Sequence, residues 1–194
     1  MAVTIADIKK LRAMTGAGLA DVKKALTEAD GDFPKAQELL RERGLAIAAK
    51  RSDRETSNGV VLVKKVPGFA AMVAVKCETD FVAAGKDFIA MVQEILDTII
   101  EKRPKTLDEV KALKLASGDD AETAVKRRSG ITGEKMELDG YNFIEGDNVS
   151  IYDHMGKHTL ATMVQLNKEK EEAAHKVAMQ VSARKPLALD DAAA

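Results

Sequence analysis

The sequence predicts an α+β protein in which an N-terminal three-helix bundle precedes a core of repeated β-hairpin–helix units. Three observations point to this fold class. Apolar residues recur at helical spacing over residues 1–50, strand-like runs around a Pro-Gly turn begin at residue 59, and a wide apolar helical stripe follows them. Residues 51–58 contain no apolar side chain and predict a linker between the two parts.

Residues 1–50 carry three short apolar periods, each with its own boundary signals. The first period places four side chains on one helical face: Ile5, Ile8, Leu11 and Met14. Two further periods cover Val22–Leu26 and Ala36–Leu40. The boundary signals are the cap Thr4, the turn Thr15–Gly18, the pair Asp32 and Pro34 at the start of the third helix, and Gly44 at its predicted end.

Residues 59–135 are predicted to form a first core subdomain. Val60–Val66 and Phe69–Cys77 flank Pro67-Gly68, a pattern that predicts a β-hairpin. A helix over Lys86–Glu101 then presents an apolar stripe wide enough to cover a sheet. Short helices are expected around Leu107–Leu115 and Asp120–Arg128.

Residues 136–194 are predicted to form a second core subdomain. Strand character returns over Tyr141–Ile144, Val149–Tyr152 and Thr159–Leu166, and a helix over Lys168–Ala183 ends before Pro186. The order strand, turn, strand, helix of residues 59–100 thus recurs over residues 148–183. The recurrence predicts one structural plan used twice.

Composition excludes several classes of function. The net charge of −1 and the aromatic content of 4% provide neither the positive surface nor the stacking platforms that nucleic-acid binding needs. Apolar runs are interrupted well before the ~20 residues of a membrane span, and the start of the chain lacks a secretory or transit pattern. The single cysteine, Cys77, allows no internal disulfide. The predicted compartment is the cytoplasm.

The junction Cys77–Val82 is the candidate functional site. Thr79 is a good helix N-cap and Asp80 suits a first helical turn, so a structural interpretation in which Phe81 packs into the core stays open. The corresponding junction of the second unit, Asn167–Glu171, has no apolar residue. If the scaffold required a Phe here, both junctions should carry an apolar side chain. Phe81 is therefore predicted to be free for a partner.

Metal and catalytic interpretations are weaker. His154 and His158 are spaced like half of a zinc site, but Gly156 lies between them and no further ligands complete the set. Gly16 and Gly18 lack the Lys-Ser/Thr of a phosphate loop. Cys77 could serve as a nucleophile, although single cysteines on strands are mostly buried and inert. The sequence predicts no enzyme, no cofactor and no metal, and it predicts that Lys126-Arg127-Arg128 is a solvated face.

Two motifs resemble the elongation factor Ts family. The first is Thr79-Asp80-Phe81-Val82 preceded by Cys77-Glu78, and the second is Leu11-Arg12, Thr15–Gly18, Asp21 and Lys23–Leu26 at the family's spacing. The resemblance implies a ubiquitin-associated-like (UBA-like) N-terminal domain. It also implies a nucleotide-exchange factor that binds GDP-bound and nucleotide-free elongation factor Tu and promotes GDP release, with no covalent chemistry.

The resemblance implies three groups of partner-binding residues in this chain. The first group lies at the helix start and comprises Thr79, Asp80, Phe81 and Val82. In the family, Asp80 and Phe81 would approach the Mg²⁺ site of the GTPase. The second is in the N-terminal domain: Arg12, Gly16, Gly18 and Leu19. The third is in the core: His154, Met155 and Gly156. Ala20 stands where the family often has Met, which shortens one apolar contact.

Two points remain open at this stage. The sequence ends at Asp190–Ala194, before further segments that family members commonly have, so we expect an incomplete second subdomain and leave the oligomeric state undecided. The alternative function is a UBA-like adaptor without exchange activity. That alternative predicts that residues 1–54 account for partner binding and that Phe81→Ala changes nothing.

Overall fold

The computed structural model describes residues 3–188 and is mixed helix and sheet. The N-terminal part contains α1 (Ile5–Thr15), α2 (Leu19–Glu28) and α3 (Phe33–Ala49). The middle part contains β1 (Asn58–Val66), β2 (Phe69–Cys77), α4 (Asp80–Ala83), α5 (Lys86–Lys102), α6 (Leu107–Lys111), α7 (Ala121–Thr132) and β3 (Met136–Glu145). The last part contains β4 (Val149–Asp153), a 3₁₀ turn (His154–Gly156), β5 (Ala161–Gln165) and α8 (Glu171–Arg184).

Capping hydrogen bonds explain how α1 and α3 begin. Thr4 caps α1 in a capping box with Asp7, and the Asp32 carboxylate accepts the backbone N–H of Lys35 at 2.8 Å at the start of α3. The bundle has its own buried cluster, which is formed by Leu11, Ala17, Val22, Ala25, Leu26, Ala29 and Ala36. Ile5 and Met14, which the helical period predicted for the same face, are both exposed. The helix that this period predicts is present, and only the middle of its apolar face is covered.

Helix α3 is longer than predicted. Gly44 was expected to end it, but the helix continues to Ala49 and Gly44 is buried in its interior. The C-terminal half of α3 packs on α7, where Gly44 faces Gly130. The close approach of the two backbones requires the glycine of α7, because a Cβ on Gly130 would lie 2.2 Å from the Cα of Gly44, whereas a Cβ on Gly44 would make only ordinary contacts.

The central sheet has the order β1-β2-β3 and is antiparallel throughout. The hairpin closes at Val66 and Phe69 through Pro67-Gly68, and Gly68 has a φ of 73°, as the turn requires. Helix α5 covers the sheet with an apolar face that includes Phe88, Val92, Ile95, Leu96 and Ile99, all buried. The expected hairpin and covering helix are present.

Strand β3 pairs with β2 along its whole length, from Phe69 opposite Glu145 to Cys77 opposite Met136. It is therefore the third strand of the first sheet. The division into subdomains at residue 136, which stays a prediction, would separate these two paired strands.

The last part of the chain forms a small β4-β5 hairpin with α8 packed against it. Small side chains line this contact, and the hydroxyls of Thr162 and Ser182 share a buried hydrogen bond of 2.5 Å. The hairpin is tied to the central sheet because the Val61 N–H donates to the His158 carbonyl at 2.7 Å. A hairpin followed by a helix occurs twice, but whether the two units are repeats, and whether the bundle is UBA-like, stay predictions.

Within residues 3–188 we find no helix that combines the length and the hydropathy needed to cross a membrane.

Candidate functional site

Phe81 projects from the short helix α4, which directly follows the central strand β2. Its side chain is 86% exposed, the highest value among the described phenylalanines. Val82 and Ala83 face the other way and pack against the core cluster, so they hold the helix on the sheet. Asp80 is exposed beside Phe81, in the first turn, where the helix dipole favours a carboxylate. The open question of a buried Phe81 is answered: the ring lies outside the core.

Thr79 connects α4 to a distant loop. Its side chain caps the helix by accepting the Val82 N–H at 3.4 Å. Its own N–H and hydroxyl both donate to the Glu134 carboxylate, at 3.0 and 2.6 Å. The neighbouring Glu78 carboxylate accepts the Lys135 N–H at 2.5 Å, and this contact lowers the pKa of Glu78. Glu78 and Thr79, just before α4, are thus hydrogen-bonded to Lys135 and Glu134, just after α7.

Cys77 does not have the properties of a nucleophile. It is fully buried, and its thiol donates to the Thr79 carbonyl at 3.2 Å. Burial raises the pKa of this thiol to about 11, with the nearby Glu134 charge as a second cause. Since the thiolate is the reactive species, the structure argues against the cysteine-enzyme interpretation.

The turn between α1 and α2 presents the second group of predicted residues. Arg12, Gly16, Gly18 and Leu19 are all exposed, and Leu19 is 56% exposed. Gly16 has a φ of 69° and ends α1 by donating its N–H to the Arg12 carbonyl at 2.8 Å. Met14, also exposed, adds an apolar side chain next to this turn. Sequence reasoning missed Met14 as a surface residue because its spacing matched the core stripe.

Arg128 lies next to this turn and pairs with a residue of the core. A Cβ on Gly16 would lie 3.7 Å from an Arg128 guanidinium nitrogen, and Arg128 pairs with Asp87 of α5 at 2.7 Å. The Arg128 side chain is largely buried, and its burial lowers the pKa of the guanidinium. The prediction that Lys126-Arg127-Arg128 is a solvated face was therefore wrong for Arg128.

The third group forms the 3₁₀ turn after β4. Met155 is 71% exposed and has left-handed backbone angles, a φ of 56° and a ψ of 18°, which are costly for a residue with a Cβ. Nδ1 of His154 is bonded to the Tyr152 hydroxyl at 3.0 Å. Nδ1 of His158 is bonded to the Asp153 carboxylate at 2.5 Å. Both histidines thus have local partners, and the described residues contain no His/Cys/Asp/Glu group of three that could hold a metal.

A groove of about 810 Å³ is lined by one residue of the first group and one residue of the third. Asp80 and Gly156 line the same groove, together with Ala83 and His158. The N-terminal turn does not reach it: Met14 and Gly18 line a separate cleft of about 600 Å³ between the bundle and α7. One residue of the first group and one of the third therefore share a groove, and the second group lies on the bundle.

The fold and the site define a class of protein: a mixed helix and sheet scaffold that presents isolated apolar side chains to the solvent. Comparison with known proteins identifies the family. The family model described as Elongation factor TS matches residues 78–193. The protein named Elongation factor Ts of Parabacteroides distasonis is 59% identical over 192 residues, covering 99% of this chain and 58% of that protein.

Two other relatives with the same name agree. The Phocaeicola vulgatus protein is 59% identical, covering 99% of this chain and 58% of its own length. The Porphyromonas gingivalis protein is 49% identical, covering 97% of this chain and 69% of its own length. The chain belongs to the elongation factor Ts family, and it spans 58% of the length of the first two relatives.

Proposed function

We propose that the chain is a guanine-nucleotide exchange factor that promotes GDP release from elongation factor Tu. In this proposal Asp80 and Phe81 approach the nucleotide site of the GTPase, and the Phe81 ring inserts into an apolar pocket of the partner. The observation that carries the proposal is the 86% exposure of Phe81 on a helix whose other face is packed on the core. Membership of the elongation factor Ts family supports the choice of partner.

The physical basis is the sensitivity of a magnesium site to small displacements. Mg²⁺ requires near-octahedral oxygen ligands and bridges a nucleotide to its protein, so a shift of its surroundings weakens GDP binding. Burying a Phe side chain contributes about 1.5–3 kcal/mol, and about 1.4 kcal/mol of barrier corresponds to tenfold in rate. Phe81 alone therefore accounts for only part of a large acceleration.

Linkage adds a requirement on affinity. An exchange factor that weakens GDP binding by a given factor must itself bind the nucleotide-free GTPase more tightly than the GDP form by the same factor. Further contacts are needed to provide that affinity. We assign them to the exposed side chains Leu19 on the bundle and Met155 beside the groove that Asp80 lines.

The test is release of fluorescent GDP from elongation factor Tu, with the wild-type chain and Phe81→Ala. We expect the wild type to accelerate release and Phe81→Ala to lose most of the acceleration while remaining folded by circular dichroism. Ile5→Ala is the matched control, because Ile5 is also exposed but lies at the far end of α1 from the turn. Equal rates for wild type and Phe81→Ala would reject the insertion of Phe81.

The adaptor alternative makes a different prediction for the same proteins. If the wild type binds elongation factor Tu without accelerating GDP release, exchange activity is rejected and adaptor binding is retained. If residues 1–54 alone bind as tightly as the whole chain, the core contacts proposed for Phe81 and Met155 are rejected as well.

A further inference from the structure

We infer that Glu134 is a positioning residue that holds the Phe81 helix in its projecting orientation; the inference rests on the proposed function. Glu134 lies in the connection between α7 and β3, 55 residues along the chain from Thr79. Its carboxylate accepts both hydrogen bonds that Thr79 can donate, the N–H at 3.0 Å and the hydroxyl at 2.6 Å. The side chain is partly buried, where such charge-assisted bonds are strong.

Helix α4 needs external support because it has four residues. Forming the first turn of a helix fixes several dihedral angles in return for one hydrogen bond. A helix of this length is therefore unstable on its own. The packing of Val82 and Ala83 supports one face. The direction in which the helix starts depends on Thr79, its N-cap.

The Thr79 hydroxyl links Glu134 to the helix. A hydroxyl has one proton and two acceptor lone pairs. Since the proton points at Glu134, the lone pairs are left for the Val82 N–H, which lies 3.4 Å from the Thr79 oxygen. Glu134 thereby selects the hydroxyl orientation that caps the helix, next to Phe81.

The loop that carries Glu134 is itself held. The Ser129 hydroxyl donates to the Glu134 carbonyl at 2.5 Å, and the Glu134 N–H donates to the Thr132 hydroxyl at 3.2 Å. Both partners belong to α7, the helix on which α3 of the bundle packs. Glu134 therefore connects the start of the Phe81 helix to α7, the same helix on which the bundle packs.

The experiment compares Glu134→Ala, Glu134→Gln and the control Glu122→Ala in the fluorescent-GDP release assay. We expect Glu134→Ala to lower the saturating release rate by about fivefold to tenfold. Glu134→Gln retains one acceptor oxygen but turns an amide N–H₂ toward a donor, so its rate should fall between those of the wild type and Glu134→Ala. Glu122→Ala removes an exposed carboxylate of α7 that pairs with Lys126 and should leave the rate unchanged.

A double-mutant comparison separates positioning from general destabilisation. If Glu134 acts through Phe81, Glu134→Ala should have no further effect on release in a Phe81→Ala background. An equal loss in both backgrounds, or a wild-type rate for Glu134→Ala, would overturn the inference.

Hydrogen exchange tests the inference without the GTPase, and so distinguishes its failure from failure of the proposed function. In Glu134→Ala the amides of Val82 and Ala83, which bond to Thr79, should exchange at least about tenfold faster while the β2 amides keep their protection. Unchanged protection of those two amides would reject the positioning role even if the wild type proved to be an exchange factor. Faster exchange with no activity in the wild type would reject the proposed function alone.

Discussion

Gly130 of α7 and Gly44 of α3 are in backbone contact: a Cβ built on Gly130 would lie 2.2 Å from the Cα of Gly44. This contact joins the N-terminal bundle to the core, and the two parts otherwise have separate hydrophobic clusters. Because the atom that would be met belongs to the backbone, a side-chain rearrangement cannot relieve the clash. The distance between the α1–α2 turn and Phe81 therefore depends on a site where only glycine fits.

The two glycines of this contact should respond differently to alanine. Gly130→Ala should force α3 and α7 apart and lower the free energy of unfolding by about 1–3 kcal/mol, as overpacking does. A Cβ on Gly44 would instead meet the Arg127 carbonyl at 3.7 Å and the Gly130 Cα at 3.8 Å, which are ordinary contacts. Gly44→Ala should thus be neutral or stabilising, because alanine favours a helix by about 0.8–1.0 kcal/mol. Urea unfolding of both variants is the measurement, and equal losses would contradict the asymmetry.

The Cys77 thiol should be unreactive in the folded protein. Its pKa is raised to about 11, so at pH 8 the thiolate fraction is small and the buried sulfur is shielded as well. Alkylation by iodoacetamide should be slow in buffer and rapid in denaturing urea. A folded-state pKa above the ordinary value of 9.0 means that this group stabilises the fold below pH 9, and that the contribution is lost as the pH rises from 9.0 toward 11. Equal labelling rates in the two solvents would contradict this description.

Glu78 should make the fold sensitive to acid. Its pKa is lowered from 4.5, first by the Lys135 N–H and then by the Arg54 charge. A group with a lowered folded-state pKa stabilises the fold above its unfolded pKa, and this contribution is lost as the pH falls from 4.5 through the folded-state value. Glu78→Gln should lower the Tm at pH 7, and the difference from the wild type should shrink at pH 3. A difference that is constant with pH would contradict the assignment.

Two substitutions of Met155 should differ in stability but not in binding. Its left-handed backbone favours glycine, so Met155→Gly should be more stable than Met155→Ala by about 1 kcal/mol. Both variants lose the exposed side chain, and both should bind elongation factor Tu more weakly than the wild type. Thermal unfolding and a binding titration are the two measurements. Wild-type affinity in both variants would remove Met155 from the proposed contact.

Sequence reasoning succeeded where the determining interactions are local. The caps of Thr4 and Thr79 act within three residues, and the Pro67-Gly68 turn connects adjacent strands, so their residue types are sufficient to predict them. It failed at Gly44, because α3 continues through this glycine where it packs on Gly130 of α7, a contact that no local signal predicts. It also treated Arg128 as solvated, because its partner Asp87 lies on a third helix.

The same distinction between local and long-range interactions applies to the candidate site. The sequence alone determined that a strand would end at Cys77, that a capped helix would follow Thr79, and that Phe81 would lie in its first turn; the family resemblance came from the same residues. Only the tertiary structure decided that Phe81 faces outward, that Asp80 and Gly156 share a groove, and that Glu134 bonds to Thr79. The physical reason is range: caps and turns depend on neighbours in the chain, whereas exposure and positioning depend on side chains and backbone brought together from more than 50 residues away.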